Sequence, residues 1–254
     1  MNKEIVITRH RDDIVTHENF LTKDECESIL KVIKIKENKG EWDWKQISFY
    51  ESSSGRMPEL NDADVIACGL PGDFFDSLKE RVIVATADMA GKDPKQMSRI
   101  SFHSQRWEPG AFAHPHSDNT SNDGVAGAFT RSRYATFIYL NDDFEGGVLN
   151  FTKTDLTIVP KVGLLATFAG GFQNMHEVTV VKKKVRYTLG SFWDDREESD
   201  YPQELRDQWA IELQEVRDKQ KIEQKEWNEI RDKGLRQTPR SELYPASEVE
   251  DINE

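Results

Sequence analysis

The sequence has few cysteines and no long apolar run. Only Cys26 and Cys68 occur among its 254 residues, and no Cys-x-x-Cys pair is present, so a disulfide framework is excluded. No apolar stretch approaches the roughly 20 residues that cross a membrane. The first residues, MNKEIVITRHRDD, lack the apolar core of a signal peptide. We therefore expect a cytoplasmic protein that does not associate with membranes.

The sequence also has fewer positively than negatively charged residues. The chain has 34 Lys and Arg residues against 46 Asp and Glu residues, which gives a formal net charge of −12. Sequence-independent binding to a phosphate backbone requires clustered basic side chains. The charge balance therefore disfavours nucleic acid as a partner, although it leaves room for a local basic patch. A chain of this length buries one sizeable core without covalent staples.

The first region, residues 1–96, carries two helix patterns. Thr22 is followed three residues later by Glu25, a capping box that predicts the start of a helix. Apolar residues recur at helical spacing from Phe74 onward, and Gly91 is a good stop for this second helix. We assign the region as a support of helices and strands that belongs to the same domain as the residues that follow.

The second region, residues 97–196, changes to short β-like runs that are separated by Gly, Pro, Asn and Asp. Many short strands at this spacing predict a sandwich, a barrel or a jelly roll. The candidate strands are Ser98–Trp107, Ala135–Leu140, Gly147–Phe151, Leu156–Ile158, Gly163–Phe168, His176–Val181 and Arg186–Trp193.

The third region, residues 197–254, is dense in charge. From Leu205 and Trp209 onward, apolar residues recur at steps of three and four until Gly234, a pattern typical of an amphipathic helix. The helix either folds back on the domain or binds a partner, for example in a homodimer, and the sequence leaves both possibilities open. Residues 235–254 have the composition of a loose tail.

Two metal-ligand fragments bracket the strands of the second region. His116 and Asp118 form a His-x-Asp pair after a Pro-Gly turn, and His176 lies far along the chain. Two histidines and one carboxylate are the ligands of Fe(II) oxygenases, in which they leave open positions on the metal. On a regular strand, residues two apart lie on the same face. Because a lone His-x-Asp often arises by chance, the surrounding residues decide its meaning.

Several surrounding segments resemble the prolyl 4-hydroxylase-like family of 2-oxoglutarate oxygenases. The resemblance covers roughly residues 18–193. The matching segments are, in chain order, the N-terminal helix of residues 18–30, the turn Glu108–Phe112, the pair His116 and Asp118, the YLND-FEGG segment of residues 139–147, the strand with Pro160, Gly163 and Phe168, the HEV of residues 176–178 and the RYTL of residues 186–189.

The resemblance implies a mainly β protein with flanking helices, including an N-terminal helical part and a C-terminal amphipathic helix. Its core would be a double-stranded β-helix, or jelly roll, that holds Fe(II). The family's metal-binding and catalytic roles carry over to His116, Asp118 and His176 in this chain. A carboxylate at position 118 favours hydroxylation, because halogenating relatives have a small residue there.

The resemblance also implies where the co-substrate binds. Arg186 matches the basic residue that pairs with the distal carboxylate of 2-oxoglutarate, a task that suits a planar guanidinium. Tyr139 and Thr188 are candidates for further hydrogen bonds to the same carboxylate. Each also has a plainer interpretation, Tyr139 as a core side chain and Thr188 as an ordinary strand residue.

The chain departs from the family pattern at two places. Trp107 stands where many members have a tyrosine that contacts the metal end of the co-substrate, and an indole only donates a hydrogen bond. We therefore expect Trp107 to shape the wall of the cofactor pocket instead. The family's tryptophan after RYTL is usually at the position of Phe192, whereas this chain has Trp193, which predicts a bulge or a slip in the last strand.

The function that the resemblance implies is hydroxylation that depends on Fe(II), 2-oxoglutarate and O2, releases succinate and CO2, and uses ascorbate as reductant. The leading expectation is a prolyl 4-hydroxylase that acts on peptidyl proline in a peptide or protein. The alternatives are a dioxygenase for another side chain, a free amino acid or a small metabolite, and a non-catalytic jelly-roll binding module. Glu51–Asp64 and Asn119–Ser132 are expected to be exposed loops that either close over a peptide substrate or simply connect the neighbouring elements at the surface.

Overall fold

The computed structural model describes residues 4–38, 45–47, 52–56, 66–120, 124 and 129–232. None of the helices in this described part is both long enough and apolar enough to cross a membrane. The helices are α1 (Lys23–Asn38), α2 (Phe74–Ala90) and α3 (Gln203–Asp232). The strands are β1 (Val6–Arg11), β2 (Ile14–Glu18), β3 (Lys45–Ile47), β4 (Ser52–Arg56), β5 (Ser98–Trp107), β6 (Ala113–His116), β7 (Tyr134–Tyr139), β8 (Glu145–Gly146), β9 (Leu149–Phe151), β10 (Leu156–Ile158), β11 (Leu165–Ala169), β12 (His176–Val178), β13 (Val181–Lys183) and β14 (Arg186–Asp194).

Antiparallel strands form two facing sheets. The larger has eight strands in the order β1-β2-β11-β7-β14-β5-β4-β3, and the smaller has four in the order β10-β9-β12-β6. A further pair, β13 and β8, extends beside them. Because many neighbours in each sheet, such as β11 and β7 or β12 and β6, are not consecutive in sequence, the chain crosses repeatedly between the two sheets. The predicted jelly roll with flanking helices is confirmed.

The capping box at the start of α1 is formed as predicted. The backbone N–H of Glu25 donates to Thr22 Oγ1 at 3.1 Å, and the backbone N–H of Thr22 donates to Glu25 Oε2 at 2.6 Å. The second predicted helix is also present, and it ends at Gly91 in the left-handed conformation with φ 64°. Local chemistry therefore set both helix boundaries.

The two faces of the larger sheet have different partners. Its outer face is covered by α1 and α2, whose buried residues form one core with side chains such as Leu189 and Trp193 of β14. Its inner face, with Tyr139 and Phe168, packs against Leu149 and Phe151 of the smaller sheet in a second core. The alternation of side chains along each strand makes this division possible. Functional residues on the inner face therefore lie between the sheets.

The predicted strands are found with small shifts, and β5 and β10 have the predicted bounds. The expected His176–Val181 strand is split into β12 and β13. The last strand carries a register shift against β5 between Phe192 and Trp193, which is the irregularity that the displaced tryptophan predicted. The N-terminal segment forms an antiparallel hairpin of β1 and β2.

The expectation of an exposed loop over Glu51–Asp64 was wrong in part. Five of its residues form β4, which pairs with β5 in the register Ser53 opposite Arg106. The segment has the serine and glycine content of a turn, but the free edge of β5 supplies backbone partners that override its low strand propensity. The rest of the predicted loop lies outside the described residues.

The C-terminal helix α3 begins after Tyr201, whose ring packs edge-on against Trp209 at 4.7 Å between centroids. Both side chains are buried, and α3 also lies against β3. These contacts attach the start of the helix to the domain. A homodimer through α3 and the region boundaries after residues 96 and 196 stay predictions, and the tail of residues 235–254 lies outside the described residues.

Candidate active site

Three ligand-type side chains meet at one end of the smaller sheet. His116 ends β6 and His176 begins β12, and the two are directly opposite in the antiparallel pair. Asp118 follows two residues after His116. Its carboxylate oxygens lie 3.8 Å from the Nε2 atoms of both His116 and His176. One potential ligand atom from each of the three residues lies within 4.8 Å of the others, a spacing that suits a single metal ion.

Both imidazoles are oriented by backbone carbonyl groups. His116 Nδ1 lies 2.7 Å from the carbonyl oxygen of His114, and His176 Nδ1 lies 2.9 Å from that of Asn174. A carbonyl oxygen only accepts, so each Nδ1 carries the proton and donates. The lone pair of each ring is then on Nε2, the atom that faces Asp118. This arrangement of ring and carbonyl is typical of histidines that bind metals.

Burial sets the charge state of the three groups. It lowers the pKa of His176 to about 4, and it lowers the pKa of His116 to about 4 with a further contribution from neighbouring His176. Burial raises the pKa of Asp118 to about 6, and His116 opposes this rise. At neutral pH the set therefore has two neutral imidazoles and one carboxylate, which are the protonation states that a divalent metal requires.

The residues present fit Fe(II). Two imidazole nitrogens and one carboxylate on one face of the metal are the ligands of non-haem oxygenases. Asp118 Oδ2 is buried and has no hydrogen-bond partner among the described residues, although an unsatisfied buried carboxylate oxygen is costly. A cation between the three side chains would satisfy it.

The position of Asp118 depends on Gly170. The backbone N–H groups of Asp118 and Asn119 donate to the carbonyl oxygen of Gly170 at 2.9 and 3.2 Å. A side chain at Gly170 would meet Ser132 O at 2.5 Å and Asp118 Cβ at 3.0 Å. Glycine is therefore required at this position by the close approach of two other segments. The sequence analysis did not identify this role.

Arg186 occupies the opposite end of the inner face, at the start of β14. Its side chain is buried, and its guanidinium lies 5.0 Å from the centre of the Trp107 ring and 5.1 Å from that of Tyr139. Its Nε and Nη1 atoms have no hydrogen-bond partner in the described part of the chain. Burial lowers the pKa of Arg186, but an arginine stays charged in proteins. A buried guanidinium with free donors is suited to an incoming carboxylate.

The other predicted cofactor residues surround Arg186. Trp107 is directly opposite Arg186 on β5, and Thr188 is opposite Tyr139 on β7. Residues directly opposite on paired strands project from the same face. Thr188 Oγ1 already donates to Gln105 Oε1 at 3.1 Å, so it is left to accept from a ligand. Burial raises the pKa of Tyr139, which keeps its phenol protonated and able to donate.

Two glycines allow the chain to pack closely here, one against Arg186 and one against the backbone of Val180. A side chain at Gly147, which has φ 62°, would meet Arg186 Cδ at 3.0 Å, and one at Gly146 would collide with Val180 O. The glycines of the FEGG segment, which is part of the family resemblance, therefore have a structural reason. Because they lack side chains, the segment borders the guanidinium pocket on one side and leaves the pocket open.

His103 and Gln105 also project from this inner face, and the sequence analysis assigned a role to neither. They lie four and two residues before Trp107 on β5, so alternation along the strand was the signal that could have found them. The His103 ring stacks on Phe192 at 5.8 Å, and its Nε2 would lie 3.1 Å from a side chain at Gly190. Burial lowers the pKa of His103 to about 4, so the imidazole is neutral.

Aromatic contacts connect the two ends of the site. Phe168 packs edge-on against His176 at 4.8 Å and stacks with Phe137 at 6.0 Å. Phe137 in turn contacts Phe192, whose ring stacks on His103. The metal ligands therefore face the same interior as Arg186. The interior has a hydrophobic wall, a potential metal site at one end and a fixed positive charge at the other.

Comparisons with known proteins agree with this geometry. Residues 102–194 match the sequence model of the 2OG-Fe(II) oxygenase superfamily. Prolyl 3-hydroxylase 2 of Homo sapiens is 35% identical over 101 residues, which cover 35% of this chain and 14% of that protein. Prolyl 3-hydroxylase 3 of Homo sapiens is 38% identical over 90 residues, which cover 30% of this chain and 12% of that protein. The chain thus spans only a small part of the length of these curated relatives.

Solved structures support the same fold. A prolyl-4-hydroxylase of Pseudomonas putida superposes with a TM-score of 0.50 at 18% identity and covers 73% of this chain and 94% of its own. A prolyl hydroxylase from Trichoplax adhaerens, in complex with a peptide fragment of the hypoxia inducible factor oxygen degradation domain, has a TM-score of 0.52 at 16% identity. That match covers 72% of this chain and 84% of the other. At these identities the likeness concerns the fold alone.

Proposed function

The chain belongs, through residues 102–194, to the 2OG-Fe(II) oxygenase superfamily, and from this premise we propose that it hydroxylates proline residues in peptides or proteins. The observation that carries the proposal is the presence, on one interior face, of a His-Asp-His cluster and of a buried arginine whose Nε and Nη1 have no hydrogen-bond partner among the described residues. The sequence relatives named as prolyl hydroxylases support the choice of proline.

The residues of the chain have separate tasks in this reaction. His116, Asp118 and His176 hold Fe(II), which together with 2-oxoglutarate and O2 supplies the oxidation of a C–H bond and releases succinate and CO2. Their neutral and anionic forms at neutral pH avoid competition from protons. By binding on one side they leave the other coordination positions open.

Arg186 orients the co-substrate. Its planar guanidinium offers two parallel N–H donors to the distal carboxylate, and burial strengthens this ion pair. Tyr139 donates to the same carboxylate through its protonated phenol, and Thr188 supplies a hydroxyl beside it. Trp107 forms a wall of this pocket and excludes water from the pair. Ascorbate is the reductant that we expect to keep the iron active.

The substrate is expected to enter beside the ligand loop. Asn119–Ser132 directly follows Asp118, and we propose that it closes over a peptide. Residues 121–123 and 125–128 of this segment lie outside the described residues. The Trichoplax adhaerens prolyl hydroxylase, which has a similar fold, was solved in complex with a peptide fragment, and this supports a peptide substrate. We further propose that the protein acts in the cytoplasm and that α3 contributes to a homodimer.

Two ring carbons of proline are candidates for hydroxylation. The sequence motifs resemble prolyl 4-hydroxylases and favour C4. The sequence relatives are named prolyl 3-hydroxylases and favour C3. The two products have the same mass, so the ring position has to be read by chromatography of the hydrolysed peptide against both hydroxyproline standards.

The test is succinate formation from 2-oxoglutarate with Fe(II), ascorbate and O2, with and without a proline-rich peptide. We expect the peptide to stimulate turnover and to gain the mass of one oxygen on proline, while His176→Ala forms no succinate. Slow turnover that the peptide does not stimulate would refute the proline substrate and favour another side chain or a small molecule. Absence of any turnover, and of a visible charge-transfer band with Fe(II) and 2-oxoglutarate without O2, would refute the oxygenase assignment of the site.

A further inference from the structure

The loop between β11 and β12, residues 170–175, contacts two of the three ligands through its backbone. The carbonyl oxygen of Asn174 accepts from His176 Nδ1 at 2.9 Å, and that of Gly170 accepts from the backbone N–H of Asp118 at 2.9 Å. The loop includes a single turn of 3-10 helix over Phe172–Asn174. The geometry of the ligands therefore depends on how firmly this loop is held.

One side chain anchors the loop from inside. Asn174 is 1% exposed, and its Nδ2 donates to Asp13 Oδ2 at 2.7 Å and to the carbonyl oxygen of Ala169 at 2.9 Å. Both amide hydrogens are thus used. The bond to Asp13 is charge-assisted and short, which makes it stronger than a bond between neutral groups.

Asp13 lies 161 residues before Asn174 in the chain. It lies in the turn between β1 and β2, and its carbonyl oxygen accepts from the backbone N–H of Ala169 at 3.0 Å. The residue therefore holds the last residue of β11 with its backbone and Asn174 with its side chain. The other carboxylate oxygen, Asp13 Oδ1, makes a weaker contact with Arg11 Nε at 3.4 Å. Asp13 is outside residues 102–194, which match the family.

We propose that Asp13 and Asn174 are positioning residues for the metal centre. Asp13 fixes the amide of Asn174, the amide fixes the loop, and the Asn174 carbonyl fixes the tautomer and the orientation of His176. The inference rests on the proposed function, since it concerns the affinity of the His-Asp-His cluster for a metal. Loss of a partner that orients a ligand typically weakens metal binding by about 10- to 100-fold.

The test measures Co(II) affinity of the whole chain by titration calorimetry, together with the visible spectrum of the bound Co(II) and the melting temperature of the metal-free protein. Asp13→Ala and Asn174→Ala are expected to weaken Co(II) binding about 10- to 100-fold and to alter the spectrum. Asp13→Asn should lie between wild type and Asp13→Ala, because an amide oxygen still accepts the hydrogen bond without its charge.

Two substitutions serve as matched controls. Asp12→Asn changes the neighbouring residue of the same turn, whose side chain is exposed. Asn150→Ala removes an amide that donates to Glu177 Oε1 at 2.9 Å on the strand beside His176, outside the chain of contacts that leads to the ring. Both controls are expected to keep the Co(II) affinity and spectrum of the wild type.

The decisive comparison is a double-mutant cycle. If Asp13 acts through Asn174, Asp13→Ala has no further effect on Co(II) affinity in the Asn174→Ala background. Independent losses that multiply would overturn the inference, as would a lowered melting temperature with unchanged affinity in Asp13→Ala. The Asp13 series decides the matter alone if Asn174→Ala does not fold. Failure of the wild type to bind Co(II) would overturn the proposed function itself, and the inference with it.

Discussion

The two ends of the interior are built in different ways. At the metal end, the two histidines lie on the paired strands β6 and β12 and Asp118 lies just beyond β6, and backbone carbonyls of β6 and of the loop after β11 hold them. At the anion end, Arg186 and its neighbours Trp107 and Tyr139 lie on paired central strands of the larger sheet, where register alone brings them together. The metal end therefore depends on several chain segments, and the anion end on regular strand geometry.

This difference has an energetic side. Before binding, the metal end carries one negative charge at neutral pH, because burial keeps both imidazoles uncharged while Asp118, whose pKa is raised to about 6, is still ionised. The anion end holds the buried positive charge of Arg186, whose Nε and Nη1 lack hydrogen-bond partners in the described part of the chain. The first is a set of ligands that metal binding completes. The second is a buried positive charge, which destabilises the fold until an anion binds to it.

The largest effect is expected from removing a metal ligand. His176→Ala should abolish Co(II) binding and succinate formation, because two remaining ligands do not hold Fe(II) in a defined site. Calorimetric titration and a succinate assay measure the two losses. His10→Ala is a suitable control, since His10 lies on the N-terminal hairpin and contacts Thr16. Retention of metal binding by the His176 variant would refute the assignment of the metal end.

The next effect separates the two ends. Arg186→Met should raise the KM for 2-oxoglutarate by about 100-fold, which corresponds to about 3 kcal/mol for charge-assisted hydrogen bonds, and should leave Co(II) affinity unchanged. The same substitution removes a buried unpaired charge, so the free energy of unfolding of the ligand-free protein should rise by about 1–4 kcal/mol.

Enzyme kinetics and thermal denaturation of the ligand-free protein check these two changes. Arg186→Lys is the matched comparison, because it keeps the charge and loses the planar fork. Its KM should lie between those of wild type and Arg186→Met. A fall in both stability and Co(II) affinity in Arg186→Met would show that the two ends are not independent.

A pair of glycine substitutions sharpens the comparison further. Gly170→Ala introduces contact with Ser132 O at 2.5 Å and with Asp118 Cβ, so it should weaken Co(II) binding and destabilise the fold by about 1–3 kcal/mol. Gly147→Ala crowds Arg186 Cδ and should raise the KM for 2-oxoglutarate instead. Gly91→Ala, which has a positive φ but no neighbour within 4 Å, measures the backbone strain alone. Equal effects of the first two on both ligands would contradict the separation of the ends.

The smallest effect concerns Cys26, behind the anion end. Its thiol is buried and donates to the Tyr139 carbonyl at 3.9 Å. Burial, with a contribution from Glu25, raises the pKa of Cys26 to about 12. Since the thiolate is the reactive form, iodoacetamide should not modify Cys26 in the native protein at pH 8 and should modify it after unfolding. Mass spectrometry of the peptide checks this, and rapid native labelling would indicate that α1 opens from the sheet.

Regular structure was the part of the fold that the sequence predicted well. Alternation and turn residues located β5 and β10, the capping box located α1, and the misplaced aromatic residue predicted the register shift after Phe192. These signals are local, since they depend on residues near one another in the chain. The joining of His116, Asp118 and His176 came from family resemblance, because their spacing alone did not require it.

The remainder depended on partners that are distant in sequence. β4 forms where a turn was expected because β5 offers an edge to pair with. The contact of Asp13 with Asn174 joins a hairpin turn to a loop 161 residues further along the chain, and neither residue belongs to a recognisable motif. Strand alternation from Trp107 could have placed His103 on the inner face. Its neutral state follows from burial, which the sequence alone does not show.

The order in which the chain is made gives the N-terminal hairpin a further consequence. β2 pairs with β11, in the register Ile14 opposite Phe168, so β2 stays unpaired on this side until β11, much later in the chain, has been synthesised. Pairing between such distant segments is slow to form. The loop that carries Asn174 is synthesised directly after β11, so it closes on Asp13 as the sheet is completed. Metal binding should accordingly appear only at the end of folding, and a nascent chain that stops before β11 would expose unpaired strand edges that favour aggregation.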